Sequence, residues 1–230
     1  MVGAAVLALE AARARRGPQL PDQATFDLDG RVGGDGPSIA IAWLGDSTAS
    51  GVGASSADGA LPRQVAAALG RPVELTVLAV SGATVSDVAD QQVGDVPKDA
   101  DVVVVDVGCN DVTHLTKVGD FRRRYEEVLD RLPDGVPTVV LGLPDMGAPI
   151  RLAQPLRLIA GERAGTLDRQ ISELARRRGF RYVDIAGRTG PPFRREPGRY
   201  FSADLYHPSD EGYALWADAV VPAVRSALED

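Results

Sequence analysis

Four short stretches of the chain hold residues of the kinds that carry out acyl chemistry. The first, LGDSTASGVG, spans residues 44–53 and sets Ser47 in a small, glycine-flanked turn. There the Ser47 hydroxyl can face a pocket and its backbone N–H an anion, although a serine after a strand also serves as a plain helix N-cap. The second, VSGATVSDV, places Gly82 where the backbone can approach a ligand with no Cβ in the way. The third, VGCNDVTH, offers the side-chain amide of Asn110, with Asp111 as a turn cap. The fourth, FSADLYHPSDEGYALW, sets Asp204 three residues before His207. A carboxylate at that spacing can hold one imidazole nitrogen and leave the other as a base. Each stretch alone also has an ordinary turn or capping role. Together they supply a hydroxyl nucleophile, N–H donors for an oxyanion, and a base with its orienting acid.

Rival readings are weaker. His114 is the only other histidine and follows Asp111 by three residues, repeating the acid–imidazole spacing at a different strand end. Cys109 has no base arranged for it in sequence and reads as a small packed residue. No Gly-Lys-Ser/Thr follows the first loop, so a phosphate-binding P-loop is excluded, and the dinucleotide Gly-x-Gly-x-x-Gly is absent. The Gly-x-Ser-x-Gly elbow fails because Ala49 stands at its last glycine. Two histidines and one cysteine argue against a zinc site, and no cofactor is expected.

The elements that must position these loops are legible as an alternation. Apolar, β-branched runs at Ile39–Leu44, Val73–Val80, Val102–Val107, Thr138–Leu143 and Arg181–Ile185 read as five strands. The run VVVVDV is apolar almost throughout, as in a strand covered on both faces. Between them, Phe121, Tyr125, Val128, Leu129 and Leu132 recur at helical steps. So do Ala164, Leu167, Ile171 and Leu174, and then Tyr213, Trp216, Val220 and Val224. Pro222 is expected to kink or interrupt that last helix. Strands alternating with helices imply a parallel sheet between helical layers, with its chemistry at the carboxyl ends of the strands. All four loops fall there.

The chain has 230 residues, with 32 acidic against 25 basic ones and a net charge of −7. That length suits one large domain, and the acidic balance argues against a nucleic-acid partner. One cysteine allows no internal disulfide. Residues 1–9 are almost wholly apolar and are followed by Arg13, Arg15 and Arg16. The stretch is far shorter than the roughly 20 residues that span a bilayer. It reads as an N-terminal helical segment over 1–26 or a shortened anchor, so membrane association through residues 1–16 is possible. The location stays open between the cytoplasm and a tether to the cell envelope. The glycine-rich DLDGRVGGDGPS reads as a linker over 27–38, and the catalytic domain is expected over 39–230.

With its blocks GDS at Ser47, Gly82, GCND at Asn110, and DLYH at Asp204 and His207, the chain resembles the SGNH, or GDSL, hydrolases. The four blocks occur in order over nearly all of the stretch from Ile39 to Leu228. The resemblance implies a flavodoxin-like three-layer α/β/α sandwich with a five-stranded parallel sheet. It implies a bacterial esterase or lipase without a metal, cleaving a small-molecule, lipid or sugar ester. Ser47 would be the nucleophile, His207 the base and Asp204 the orienting acid, with Ser47, Gly82 and Asn110 forming the oxyanion hole. Small loop residues and few aromatics point to a short acyl chain. The alternatives are an acyltransferase using the same triad and a non-catalytic flavodoxin-like binding module. Departures from the family pattern are confined to the N-terminal segment and to the Pro-rich stretch Pro191–Arg199, read as an insertion near the site. Arg151, Arg157 and Arg163 are either a solvated face or a site for an anionic substrate group.

Overall fold

The computed structural model describes residues 26–229. The expected N-terminal helix lies almost wholly outside the described residues. Among those described, six strands form one sheet: β1 (Gly30–Val32), β2 (Ile39–Gly45), β3 (Val73–Val77), β4 (Val102–Asp106), β5 (Thr138–Leu141) and β6 (Arg181–Val183). Their order is β1-β3-β2-β4-β5-β6. The five strands β2 to β6 are mutually parallel and follow the doubly wound flavodoxin-like order.

The sheet therefore has one strand more than the five expected. The addition is β1, which pairs antiparallel with β3 and sets Arg31 beside Glu74. It arises within the stretch that its glycines mark as a linker. Arg31 folds its guanidinium onto the carbonyls of Gly34 and Gly36, Asp29 accepts from the Val77 amide at 2.6 Å, and Leu28 is buried in the core. Three residues are too few to show a period, which is why a strand here escapes sequence reading.

The alternation of side chains along β4 explains its continuous valines. Val102 and Val104 enter one apolar layer, and Val103 and Val105 the other. The first layer is closed by α1 (Leu61–Ala68), α6 (Ile185–Arg195) and α8 (Asp210–Ala227). The second is closed by α2 (Val85–Asp87), α4 (Val118–Asp130) and α5 (Leu156–Arg177). Phe121 and Tyr125 of α4 and Leu167 and Ile171 of α5 are fully buried there, and cutting such a side chain to alanine costs about 2–5 kcal/mol. Two short helices complete the helical set used below, α3 (Cys109–Thr113) and α7 (Pro197–Tyr200).

Pro222 does not end α8, which runs through to Ala227. The carbonyl that Pro222 leaves without a helical partner belongs to Asp218, which is exposed, so water can satisfy it. The Pro-rich stretch is also helical: Pro191 and Pro192 lie inside α6, and Pro197 opens α7.

Candidate active site

β2 ends at Gly45, whose register partner on β4 is Asp106. A Cβ at Gly45 would stand 2.3 Å from the Asp106 carbonyl oxygen, so only glycine lets the two strand ends lie this close. The Asp46 amide then donates to that same carbonyl at 3.2 Å. The Gly45 amide donates to the buried Gln92 Oε1 at 2.8 Å, and Gln92 Nε2 returns a bond to the Gly45 carbonyl at 2.9 Å. Gln92 ends a π-helical turn over Val88–Gln92, a distortion common at functional sites.

Beyond Gly45 the chain coils through successive turns rather than entering a regular helix. Ser50 donates to the Asp46 carbonyl at 3.0 Å and Val52 to the Ser47 carbonyl at 2.9 Å. The floor beneath Ser47 is acidic. Thr48 donates its amide to Asp46 Oδ1 at 3.2 Å, and its hydroxyl lies 3.1 Å from Asp46 Oδ1 and 3.0 Å from Asp106 Oδ2. Gly108 donates to Asp46 Oδ2 at 3.4 Å. Burial pushes the Asp46 carboxyl up despite those donors. Burial, and then the neighbouring Asp46 charge, pushes Asp106 up to about 8. One of the two therefore holds a proton near neutrality, and the Thr48 hydroxyl bridges a mixed acid–carboxylate pair.

The fourth loop closes on itself and on the first. Ser202 donates to the His207 carbonyl at 2.8 Å, and Phe201 and Pro208 form a bridge. Ser209 caps α8 by accepting from Gly212 at 3.2 Å, and Asp210 accepts from the amide and hydroxyl of Ser55 at 2.7 and 2.5 Å. Across this junction His207 Nε2 lies 3.0 Å from Ser47 Oγ, and His207 Nδ1 lies 2.6 Å from Asp204 Oδ2. The other Asp204 oxygen accepts from the amides of Tyr206 and His207 and from the Ser202 hydroxyl, each at 2.9 Å. Burial pushes the Asp204 carboxyl up, but the imidazole and the two amides outweigh it and hold the group at about 2.

Gly82 takes a left-handed φ of 87° and faces open space. Among the described residues, the amides of Ser47 and Gly82 donate to no protein group. Asn110, in the first turn of α3, donates one side-chain N–H to the Ala83 carbonyl at 3.0 Å, which ties it to the Gly82 loop and leaves its second N–H available. Asp111 accepts from the Val85 amide at 2.9 Å, holding α3 to the start of α2.

An apolar pocket adjoins Ser47 and His207. Met146, Phe193, Phe201, Tyr206 and Trp216 form its apolar walls. The Asp145–Arg194 ion pair joins the loop after β5 to α6 at its edge. The Pro-rich stretch thus reaches the site through Phe193.

The remaining candidates fall elsewhere. His114 is exposed at the end of α3. Cys109 lines the pocket, but burial pushes its thiol well above the ordinary value, so it is no thiolate. Arg163 spends its guanidinium on the carbonyls of Asp111, Val112 and Thr116, and Arg151 reaches the Asp204 carbonyl at 3.4 Å. Both brace loops of the site. No group of three or more histidine, cysteine or acidic residues among those described is arranged to hold a metal ion. Thr48, Gln92, Asp106 and Ser202 were not singled out in the sequence. Asp106 ends an apolar run, and only the Gly45–Asp106 register brings it beside Asp46.

Relatives share this architecture. The chain is 36% identical over 197 residues to the GDSL-like esterase Rv1075c of Mycobacterium tuberculosis, with 81% of this chain aligned. The chain spans 62% of the length of that protein. The crystal structure of a phospholipase A1 from Streptomyces albidoflavus superposes with a TM-score of 0.65 at 23% identity, covering 83% of this chain and all of that one. A lipase/acylhydrolase from Enterococcus faecalis superposes with a TM-score of 0.64 at 20% identity, covering 82% of this chain and 96% of that one. At those identities the likeness establishes the fold. The model of the GDSL-like lipase/acylhydrolase family matches residues 43–215, from the middle of β2 to within α8, and the chain belongs to that family.

Proposed function

We propose that the chain is a carboxylic ester hydrolase that works through an acyl-enzyme on Ser47. The observation that carries this reading is the unbroken line from Asp204 Oδ2 to His207 Nδ1 at 2.6 Å and from His207 Nε2 to Ser47 Oγ at 3.0 Å. Asp204 stays ionised at neutral pH, so it holds the proton on Nδ1 and leaves Nε2 as the base. Ser47 Oγ attacks the ester carbonyl carbon while its proton passes to Nε2. The carbonyl oxygen becomes an oxyanion met by the amides of Ser47 and Gly82 and the second N–H of Asn110. Each such donor is worth about 3 kcal/mol in the transition state. Collapse of the intermediate expels the alcohol, which takes the proton from His207. Water, activated by the same imidazole, then releases the acid. The apolar pocket beside Ser47 takes a short acyl chain, whose reach Met146, Phe193 and Trp216 limit.

The test is turnover of a short nitrophenyl ester. Ser47→Ala lowers the rate at least a thousandfold with the fold intact by circular dichroism; retention of a tenth of the rate overturns the assignment. Asn110→Ala lowers kcat by about 10²–10³ with little change in KM; an unchanged kcat removes Asn110 from the oxyanion hole.

A further inference from the structure

By its own sequence α3 is a poor helix. It has five residues, of which Val112 and Thr113 are β-branched, and no side chain caps its amino end. So short a helix does not hold itself together in water. Its carboxyl end adopts the pattern of a Schellman motif: the Thr116 amide donates to the Asp111 carbonyl at 3.1 Å and the Leu115 amide to the Val112 carbonyl at 3.4 Å. The left-handed position of such a motif, where glycine is usual, falls on Leu115, at a φ of 57°. A leucine strains that backbone, and its side chain is exposed, so packing does little to offset the strain.

The rest of the fold supplies what this helix lacks. Arg163 is half-buried on α5, between the buried Ala160 and Ala164. Its Nε donates to the Val112 carbonyl at 3.1 Å, and one terminal nitrogen donates to the carbonyls of Asp111, at 3.4 Å, and Thr116. The first two are the carbonyls that close the motif, and the third belongs to the residue that ends it. A guanidinium there also brings the positive charge that a helix carboxyl end favours. Within the same short helix the Asn110 carbonyl accepts from the His114 amide at 2.8 Å and from the Thr113 hydroxyl at 3.1 Å. The end that Arg163 holds is thus bonded directly to the backbone of Asn110. From there the Asn110 side chain reaches the Ala83 carbonyl, beside Gly82.

We infer that Arg163 is a positioning residue for the oxyanion hole: by closing the carboxyl end of α3 from α5, it fixes where the second N–H of Asn110 points. The inference rests on the reading of Asn110 given above. Arg163 acts through α3, not on the ester. An oxyanion donor contributes most when it is fixed in place beforehand, and a displacement of about 1 Å can cost about 10²-fold in rate. The contact forms mainly in the transition state, so the loss falls on kcat rather than on KM.

The test is a double-mutant cycle on a short nitrophenyl ester, with Arg163→Ala, Asn110→Ala and the two combined. Arg163→Ala lowers kcat about tenfold and leaves KM within about twofold of wild type. In the Asn110→Ala background the same change lowers kcat less than about twofold, because the donor it positions is gone. Leu115→Gly, which relieves the left-handed strain, raises the kcat of Arg163→Ala at least about threefold. Should Arg163→Ala not fold, Arg163→Lys keeps the charge without the fork and is run through the same cycle, with a loss of about threefold that again vanishes without Asn110. The inference is overturned by an unchanged kcat, by a loss confined to KM, or by equal losses with and without Asn110, which is what a brace serving stability alone would give. Failure of the underlying reading looks different: Asn110→Ala alone then leaves kcat unchanged.

Discussion

Asp204 and Asp106 are both buried carboxyls one bond network away from Ser47, and they lie on opposite sides of the ordinary aspartate range. Asp204 takes a bond from the His207 ring on one oxygen and three further donors on the other. Asp106 has the Thr48 hydroxyl, which it shares with Asp46. Both lose solvation, but only Asp204 gets it back as fixed N–H and O–H dipoles, the His207 ring among them. The contrast teaches that donor supply and the charge of the neighbour, set against burial, decide which acid is charged. It also sorts their work: an ionised Asp204 can stabilise an imidazolium, while a half-protonated pair can only hold backbone in place.

The largest expected break in that contrast is Asp204→Asn. The amide keeps the shape but cannot hold the Nδ1 proton, and turnover should fall about 10⁴-fold; a loss below tenfold would mean that Asp204 only shapes its loop. Thr48→Val comes next. It removes the hydroxyl from between two buried acids and should destabilise the fold by about 1–3 kcal/mol in denaturant unfolding; unchanged stability would show that water reaches the pair. Asp106→Asn should do least to turnover, within about threefold of wild type.

The same variant sharpens the comparison through pH. The folded Asp106 keeps a proton that the unfolded chain loses near pH 3.9, so native stability falls as pH rises from there through about 8. Asp204 has the opposite sign: its contribution is present above the unfolded value and is lost as pH falls towards about 2. Melting temperatures from pH 5 to 9 should therefore decline less for Asp106→Asn than for wild type. Parallel curves would place the titration elsewhere.

The parts legible in the sequence were those that local chemistry or periodicity determines. Valine runs showed the central strands because both faces of β4 are buried, and spacing showed α4, α5 and α8. Ser47, Gly82 and Asn110 stood out because each occupies a loop that follows an apolar run, and Asp204 and His207 because of their spacing; the structure brings Ser47, His207 and Asp204 into one hydrogen-bonded line and ties Asn110 to the Gly82 loop. What escaped depends on pairing across the sheet. Asp106 reads as the polar end of a strand until its neighbour is Gly45. Gln92 belongs to no motif, and only a π-turn folds it onto the same glycine. Pro222 read as a breaker because sequence does not show that Asp218, whose carbonyl it frees, is exposed.

The bonds from Ser55 to Asp210 join stretches of chain 155 residues apart, and Ser47 meets His207 across 160. A ribosome thus releases the serine long before its imidazole, and the helix that anchors the imidazole loop comes later still. Until that helix docks, the growing polypeptide carries an ordinary, unreactive alcohol. Nascent chains stalled before residue 210 should release no product from a chromogenic ester, so hydrolytic power switches on only once α8 has been made.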